Sequence, residues 1–209
     1  MRKVVAGLFY SLDGVVEAPH LWQFDSFDDQ VGEAMTGMIT ETDTVLIGRL
    51  GYEQWSEYWP TADDEFGDFI NPVQKFVAST TLSPELSWEN STLIEGDFVE
   101  FVTALKQSEG RDIAVCGSIS LARQLIFAGL LDSLTLTMHP VIAGAGKRLF
   151  EPTDPTTRLT LAGSTISSKG NAILTYSLLA DEQRLESAVR YTHSEPHSLK
   201  CGCPDRPLR

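Results

Sequence analysis

Short apolar runs alternate with stretches of helical spacing along most of this chain. Lys3–Tyr10 (KVVAGLFY), Thr44–Ile47, Lys75–Ala78, Thr92–Ile94 and Ile113–Cys116 are β-rich runs of the kind that a strand buried on both faces requires. Between them, Val31, Met35, Met38 and Ile39 share one face of a helix over Asp28–Thr40, with Ser26 or Asp28 as its cap. A second helix is predicted to begin at Tyr52-Glu53-Gln54-Trp55. A third runs from Gly96 or Asp97 to about Gln107, and a fourth carries Leu121, Leu125 and Ile126 and stops at Gly129. Leu134, Leu136 and Met138 then alternate with Thr135, Thr137 and His139, which predicts a strand. Leu159–Ser167 and Ala172–Leu178 form a hairpin around Lys169-Gly170-Asn171. Alternating β and α units that end in two antiparallel strands predict an α/β domain with a mixed sheet.

Ile113–Cys116 runs directly into Gly117 and Ser118 before a helix. Glycine permits the sharp turn, serine caps the helix, and the free N–H groups of the first helical turn attract an anion. Taken alone, the turn is equally well read as plain connectivity. Gly48-Arg49 follows another buried strand, at the strand end where ligands of open α/β sheets collect. A guanidinium there suits a phosphate, and the competing reading is a structural salt bridge. Glu17–Phe27 is a loop carrying Trp22, Phe24 and Phe27, which could stack on a flat heterocycle or close the core. There is no Gly-x-Gly-x-x-Gly fingerprint, no Walker loop and no zinc deaminase signature.

Composition narrows the partners. The 209 residues suit one domain, and 42% hydrophobic with 22% charged residues marks a globular chain. A net charge of −13 argues against nucleic acid and anionic membranes, so an anionic ligand needs locally placed Arg, Lys and backbone donors. No apolar run approaches the roughly 20 residues of a membrane span. The start lacks the apolar core of a signal peptide, which makes a cytoplasmic location the default. Three cysteines do not make a disulfide framework. His193, His197, Cys201 and Cys203 collect zinc-type ligands near the end, but their spacing is not a standard pair. Pro196 and Pro204 favour a flexible tail.

Pro140–Phe150 (PVIAGAGKRLF) closely resembles a signature of the reductase domain of the bacterial riboflavin-biosynthesis deaminase–reductase, a relative of dihydrofolate reductase. Gly117-Ser118, Gly129-Leu130-Leu131-Asp132, Ser11-Leu12-Asp13-Gly14, and Gly48-Arg49 followed by Tyr52-Glu53 add to the likeness, which covers about residues 2–179 and is nearest to stand-alone members. The resemblance implies a three-layer α/β/α fold of the dihydrofolate reductase type over 1–179, with 180–209 as a polar extension and Ser56–Pro72 as a variable crossover. It implies hydride transfer from NADPH to a small heterocycle or pyrimidine riboside, as in 5-amino-6-(5-phosphoribosylamino)uracil reductase or dihydrofolate reductase, and a homodimer. Gly48, Arg49, Ser79, Thr80, Gly117, Ser118, Ile119, Gly144 and Gly146 would then hold the cofactor. Trp22 and Thr137 would touch the acceptor. An acidic residue on the first helix would face it, with Asp28, Asp29 and Glu33 as candidates and Asp29 favoured as catalytic. Two positions depart from the family. Gly51 stands where a Thr is usual, and Thr80 stands where relatives carry a basic residue, which weakens the case for a 2′-phosphate. The competing classes are a non-catalytic dinucleotide-binding sensor or assembly module, and a redox- or metal-regulated protein acting through its tail.

Overall fold

The computed structural model describes residues 1–178. In chain order it contains β1 (Val4–Ser11), α1 (Asp29–Glu41), β2 (Thr42–Gly48), α2 (Arg49–Tyr58), α3 (Glu65–Ile70), β3 (Gln74–Ala78) and β4 (Ser91–Leu93). There follow α4 (Phe98–Gln107), β5 (Asp112–Cys116), α5 (Ile119–Phe127), β6 (Ser133–His139), β7 (Leu159–Ile166) and β8 (Ala172–Leu178). The strands form one sheet in the order β4-β3-β2-β5-β1-β6-β8-β7. Pairs among β1–β6 are parallel, and β8 runs antiparallel to both β6 and β7.

Alternation along the central strands explains their unbroken apolar runs. Leu46, Ile113 and Val115 join Val4, Ala6 and Leu134 in a core with Val102 of α4 and Leu121, Leu125 and Ile126 of α5. Their neighbours Val45, Ile47, Ala114 and Cys116 point the other way, into a core with Tyr52 of α2 and Ile70 of α3. α1 lies on this second face, since a Cβ built on Gly7 of β1 would stand 3.3 Å from Met38 Sδ. The result is a three-layer α/β/α domain with a mixed, mostly parallel sheet. Leu125 is fully buried, so truncating it to Ala would cost about 2–5 kcal/mol.

Side-chain caps set the helix starts. Asp28 accepts from the Val31 amide, Asp64 from Gly67, Asp97 from Val99 and Glu100, and Ser118 from Leu121. Two helices differ from the sequence pattern. α2 starts at Arg49, a turn earlier than Tyr52, because Gly51 packs into the fold instead of ending a turn. α3 lies within the stretch bounded by Pro60 and Pro72. It is too short for an apolar period and is held by its Asp64 cap and by Ile70, which is completely buried.

The connections also place a crevice. β1 leads to β2 on one side of itself, whereas β5 leads to β6 on the other. Loops that depart in opposite directions open a gap at the strand C-termini, here between β1 and β5.

Candidate active site

Two helix N-termini meet beside that crevice. α2 follows β2 directly, and its cap residue Gly48 supplies no side-chain acceptor, so the first amides of α2 have no side-chain cap. α5 follows β5 through Gly117, which is solvent-exposed with φ 57°, and through the buried cap Ser118. The two turns are in contact: a Cβ on Gly48 would stand 2.6 Å from Ser118 Oγ, and one on Gly51 2.5 Å from the Gly117 carbonyl oxygen. The Trp55 ring flanks Gly117 on one side, 3.1 Å from where a Cβ would be. Arg49 is 43% exposed at the mouth and pairs with Glu53 at 2.9 Å, one helical turn on. An exposed i,i+4 pair of this kind is worth about 0.3–0.5 kcal/mol, so the guanidinium is easily won by a stronger anion. Ile119 is half-buried at the start of α5. Cys116, just before this turn, is buried and its thiol is pushed up to about 12 by desolvation, which makes it a poor nucleophile.

The other wall of the crevice is built from two loops. Loop 11–17 leaves β1 and loop 140–148 leaves β6. They are joined by the Leu12 amide to Val141 O (2.7 Å), the Val16 amide to Lys147 O (2.9 Å) and a Val15–Arg148 bridge. Asp13 links them further. Its carboxylate accepts from Ser11 Oγ (2.6 Å), the Ala143 amide (2.9 Å) and the Gly144 amide (2.9 Å), with Arg148 Nη2 at 3.6 Å. The Ser11 hydrogen bond and then the Ala143 amide dominate in holding this carboxyl at about 2. The glycines of this loop have different tasks. Gly146 (φ 126°) lets the loop close on Val15, whose Cγ1 would lie 2.5 Å from an added Cβ. Gly144 (φ 77°) faces open space.

A further cleft of about 500 Å3 opens along α1, lined by Phe27, Asp28, Asp29, Gly32, Glu33, Thr36 and Glu65. Phe27 packs edge-on against Phe9 of β1, with centroids 6.1 Å apart, so the cleft sits on the β1 side of the crevice. Asp29 and Glu33 are exposed on its wall. Asp28 is engaged elsewhere, capping α1 and accepting from Ser168 Oγ (3.2 Å) and the Lys169 amide (3.0 Å) of the β7–β8 hairpin. Burial pulls its carboxyl up, but bonds from Ser167, the Lys169 and Val31 amides and Ser168 outweigh that and hold it at about 2.

Trp22 is buried. Its indole Nε1 donates to Glu17 O and its ring packs edge-on against His139. Thr137 is buried in β6, in register with Phe9 of β1 and Ile173 of β8. Ser79 follows β3, and its Oγ accepts from the Thr81 and Leu82 amides; Thr80 is exposed beside it. His139 was read from the sequence as one polar position of an alternating strand, yet it is completely buried. Gln23 Nε2 lies 3.0 Å from its Nε2, which makes that nitrogen an acceptor. Nδ1 then donates to Ser26 Oγ at 2.7 Å. Burial pushes this imidazole below its ordinary value, against an Asn171 contact and the Asp28 charge that pull it up. A polar residue at the end of a buried strand, beside an aromatic loop, was the available signal. Among the described residues no group of His, Cys, Asp and Glu could hold a metal, and no helix is long and apolar enough to cross a membrane. His193, His197, Cys201 and Cys203 lie outside the described residues.

Comparison with known proteins agrees with this architecture. A model of the RibD C-terminal domain matches residues 2–173. Protein YyaP of Bacillus subtilis (strain 168) is 29% identical over 182 residues, which cover 84% of this chain and 94% of that protein. A pyrimidine reductase-like protein from Corynebacterium diphtheriae superposes with a TM-score of 0.61 at 16% identity, over 86% of this chain and 93% of that one. Dihydrofolate reductase from Enterococcus faecalis, complexed with NADP(H) and RAB-propyl, superposes with a TM-score of 0.55 at 16% identity, over 85% and 97%. At such identity the last two establish the fold, which is that of dihydrofolate reductase. The family match spans nearly the whole described domain: this chain belongs to the RibD C-terminal domain family.

Proposed function

We propose that this protein is an NADPH-dependent reductase of a small heterocyclic substrate. The observation that carries the reading is the pair of helix N-termini at the crevice, α2 without a side-chain cap and α5 behind the exposed Gly117, with Arg49 at the mouth. This donor set fits a dinucleotide diphosphate: backbone amides and helix dipoles face the anion, and the Arg49 fork exchanges Glu53 for a phosphate. Bound there, the dinucleotide supplies hydride. Ser79 and Thr80, after the neighbouring strand β3, would meet its adenosine side.

The chain's own work is to position and to exclude water. The cleft along α1 holds the acceptor, with Phe27 as a flat apolar wall and Asp29 as the group that orients the heterocycle or supplies its proton. Trp22 and Thr137 would act from behind this wall, by fixing the loop and strand that shape it. The cleft walls carry Asp28, Asp29, Glu33 and Glu65, and no basic residue is among those lining it. That balance favours a neutral or protonated, unphosphorylated heterocycle over a phosphorylated pyrimidine riboside. We extend the proposal to a homodimer, because β7 is an edge strand with Leu161 53% and Ile166 65% exposed.

The test is calorimetric titration with NADPH and with NADH, beside Arg49→Ala, followed by a screen for acceptor-dependent loss of NADPH absorbance. NADPH binding that weakens at least fivefold in the variant supports the reading. Binding with no turnover on any pterin or pyrimidine favours a dinucleotide sensor. No binding by the folded wild type overturns the proposal.

A further inference from the structure

We infer that Asp13 is a positioning residue: its carboxylate serves as an internal anion for the glycine-rich loop 140–148 and so fixes the wall against which the hydride-donating end of the cofactor rests. The inference rests on the reductase reading above.

Consecutive amides of a glycine-rich loop, with one residue at positive φ, form a concavity that binds anions. In this chain that concavity is already filled. The Ala143 amide donates to Asp13 Oδ1 and the Gly144 amide to Asp13 Oδ2, both at 2.9 Å, so each carboxylate oxygen takes one N–H. Ser11 Oγ fixes the rotamer from below, donating to Oδ1 at 2.6 Å while accepting from the Val15 amide at 2.9 Å. Arg148 closes the unit from the other loop through its Nε, which donates to the Asp13 carbonyl at 3.0 Å. The glycine-rich loop is therefore not itself a phosphate cradle. Its Ala143 and Gly144 amides are spent on the Asp13 carboxylate of loop 11–17, and the diphosphate is left to the N-termini of α2 and α5.

The direction of the cofactor follows from the same placement. The acceptor cleft lies along α1, on the β1 side, where Phe27 packs on Phe9. The diphosphate site lies at β2 and β5, on the other side of the crevice. The reactive ring must therefore cross toward β1 and meet the Asp13-clamped loops. The adenosine end must remain with β2 and β3. Gly144, with open space where a Cβ would stand, leaves the wall free of side-chain obstruction at that point.

The experiment compares wild type with Asp13→Asn and Ser11→Ala. It measures hydrogen exchange over residues 140–148, thermal midpoint, and affinity for NADPH and for adenosine 2′,5′-bisphosphate, a fragment that lacks the reactive ring. Asn places an N–H₂ against one loop amide, so Asp13→Asn should raise loop exchange at least tenfold. NADPH affinity should fall about tenfold, with fragment affinity unchanged. Ser11→Ala, which keeps the carboxylate, should show smaller changes of the same kind. Unchanged loop exchange in Asp13→Asn overturns the inference, as does faster exchange with NADPH affinity intact or equal losses for NADPH and fragment. Failure of the wild type to bind NADPH is seen in the control and overturns the reductase reading together with the role built on it; failure of the inference alone appears only in the variants.

Discussion

Gly51 and Gly117 touch across the mouth of the site, where a Cβ on Gly51 would stand 2.5 Å from the Gly117 carbonyl oxygen. The obstacle is backbone, so no rotamer change relieves it. The same Cβ would also crowd Ile47 Cγ1 at 3.1 Å. A threonine side chain therefore has no room at this position, and the absence of a Cβ is what allows the close approach of the two helix N-termini. Gly51→Thr should cost at least 2–3 kcal/mol by forcing the turns apart, and Gly51→Ala should cost about 1–3 kcal/mol. Urea denaturation checks both. An alanine variant as stable as wild type would show that the turns can separate freely.

Lys75 should be the most sensitive charged residue of the second core. Its side chain is completely buried, and Nζ donates to Ile70 O (2.9 Å), Asn71 O (2.8 Å) and Val73 O (2.9 Å) while lying 4.6 Å from the Trp88 ring centroid. Burial pushes its ammonium down to about 8, with Glu89 pulling the other way. It closes the C-terminus of α3, where carbonyls have no helical partner and the dipole favours a cation. Lys75→Met removes a costly buried charge but leaves those carbonyls unpaired. Orphaned acceptors cost about 1–3 kcal/mol each, so the loss should win by about 2–3 kcal/mol overall. Chemical denaturation of the variant measures it.

His139 should give the fold an acid-side weakness. The folded state keeps the imidazole neutral because burial lowers its pKa, whereas the unfolded chain takes up a proton near the ordinary 6.5. Below that value the unfolded state binds more protons, so this contribution is complete above pH 6.5 and is lost as pH falls through the folded pKa. The thermal midpoint of wild type should drop more than that of His139→Gln between about pH 7.5 and about pH 5.5. Equal slopes would assign the acid sensitivity to other groups. Tryptophan fluorescence offers a local readout, since the Trp22 ring lies 5.8 Å from the imidazole, centroid to centroid.

Asp28 and Asp29 are neighbours with separable tasks. Asp28 caps α1 and holds the Ser168–Lys169 turn, so Asp28→Ala, which removes every one of those acceptors, should lower the thermal midpoint of unfolding. Asp29 is exposed at the cleft, so Asp29→Asn should change stability by less than about 0.5 kcal/mol. Its turnover with an identified acceptor should fall by about 10²-fold, the lower end of what a positioned acid contributes. Full activity of Asp29→Asn would remove it from the mechanism.

Much of this could be read along the chain. Val45 to Ile47 and Ile113 to Val115 are continuous apolar runs because both sheet faces are covered, and period and capping then mark the helices at Val31 and at Ser118. The Gly48-Arg49 and Gly117-Ser118 turns were legible for the same local reason: glycine after a strand and a cap before a helix are written in consecutive residues. α3 was not, since Ile70 is buried by contacts distant in sequence, and a helix that short has no period to detect.

Sequence alone thus determined the strand–helix alternation, the mixed sheet and the two glycine turns of the candidate site, because each depends on residues near one another in the chain. Tertiary structure decided how those turns combine. It set Gly51 against Gly117, filled the amides of Ala143 and Gly144 with the Asp13 carboxylate, and buried His139 and Lys75 among partners that a linear pattern does not name. These are contacts between distant segments, whose closure entropy is offset only by the assembled core, so their partners become defined only once the sheet order brings the segments together.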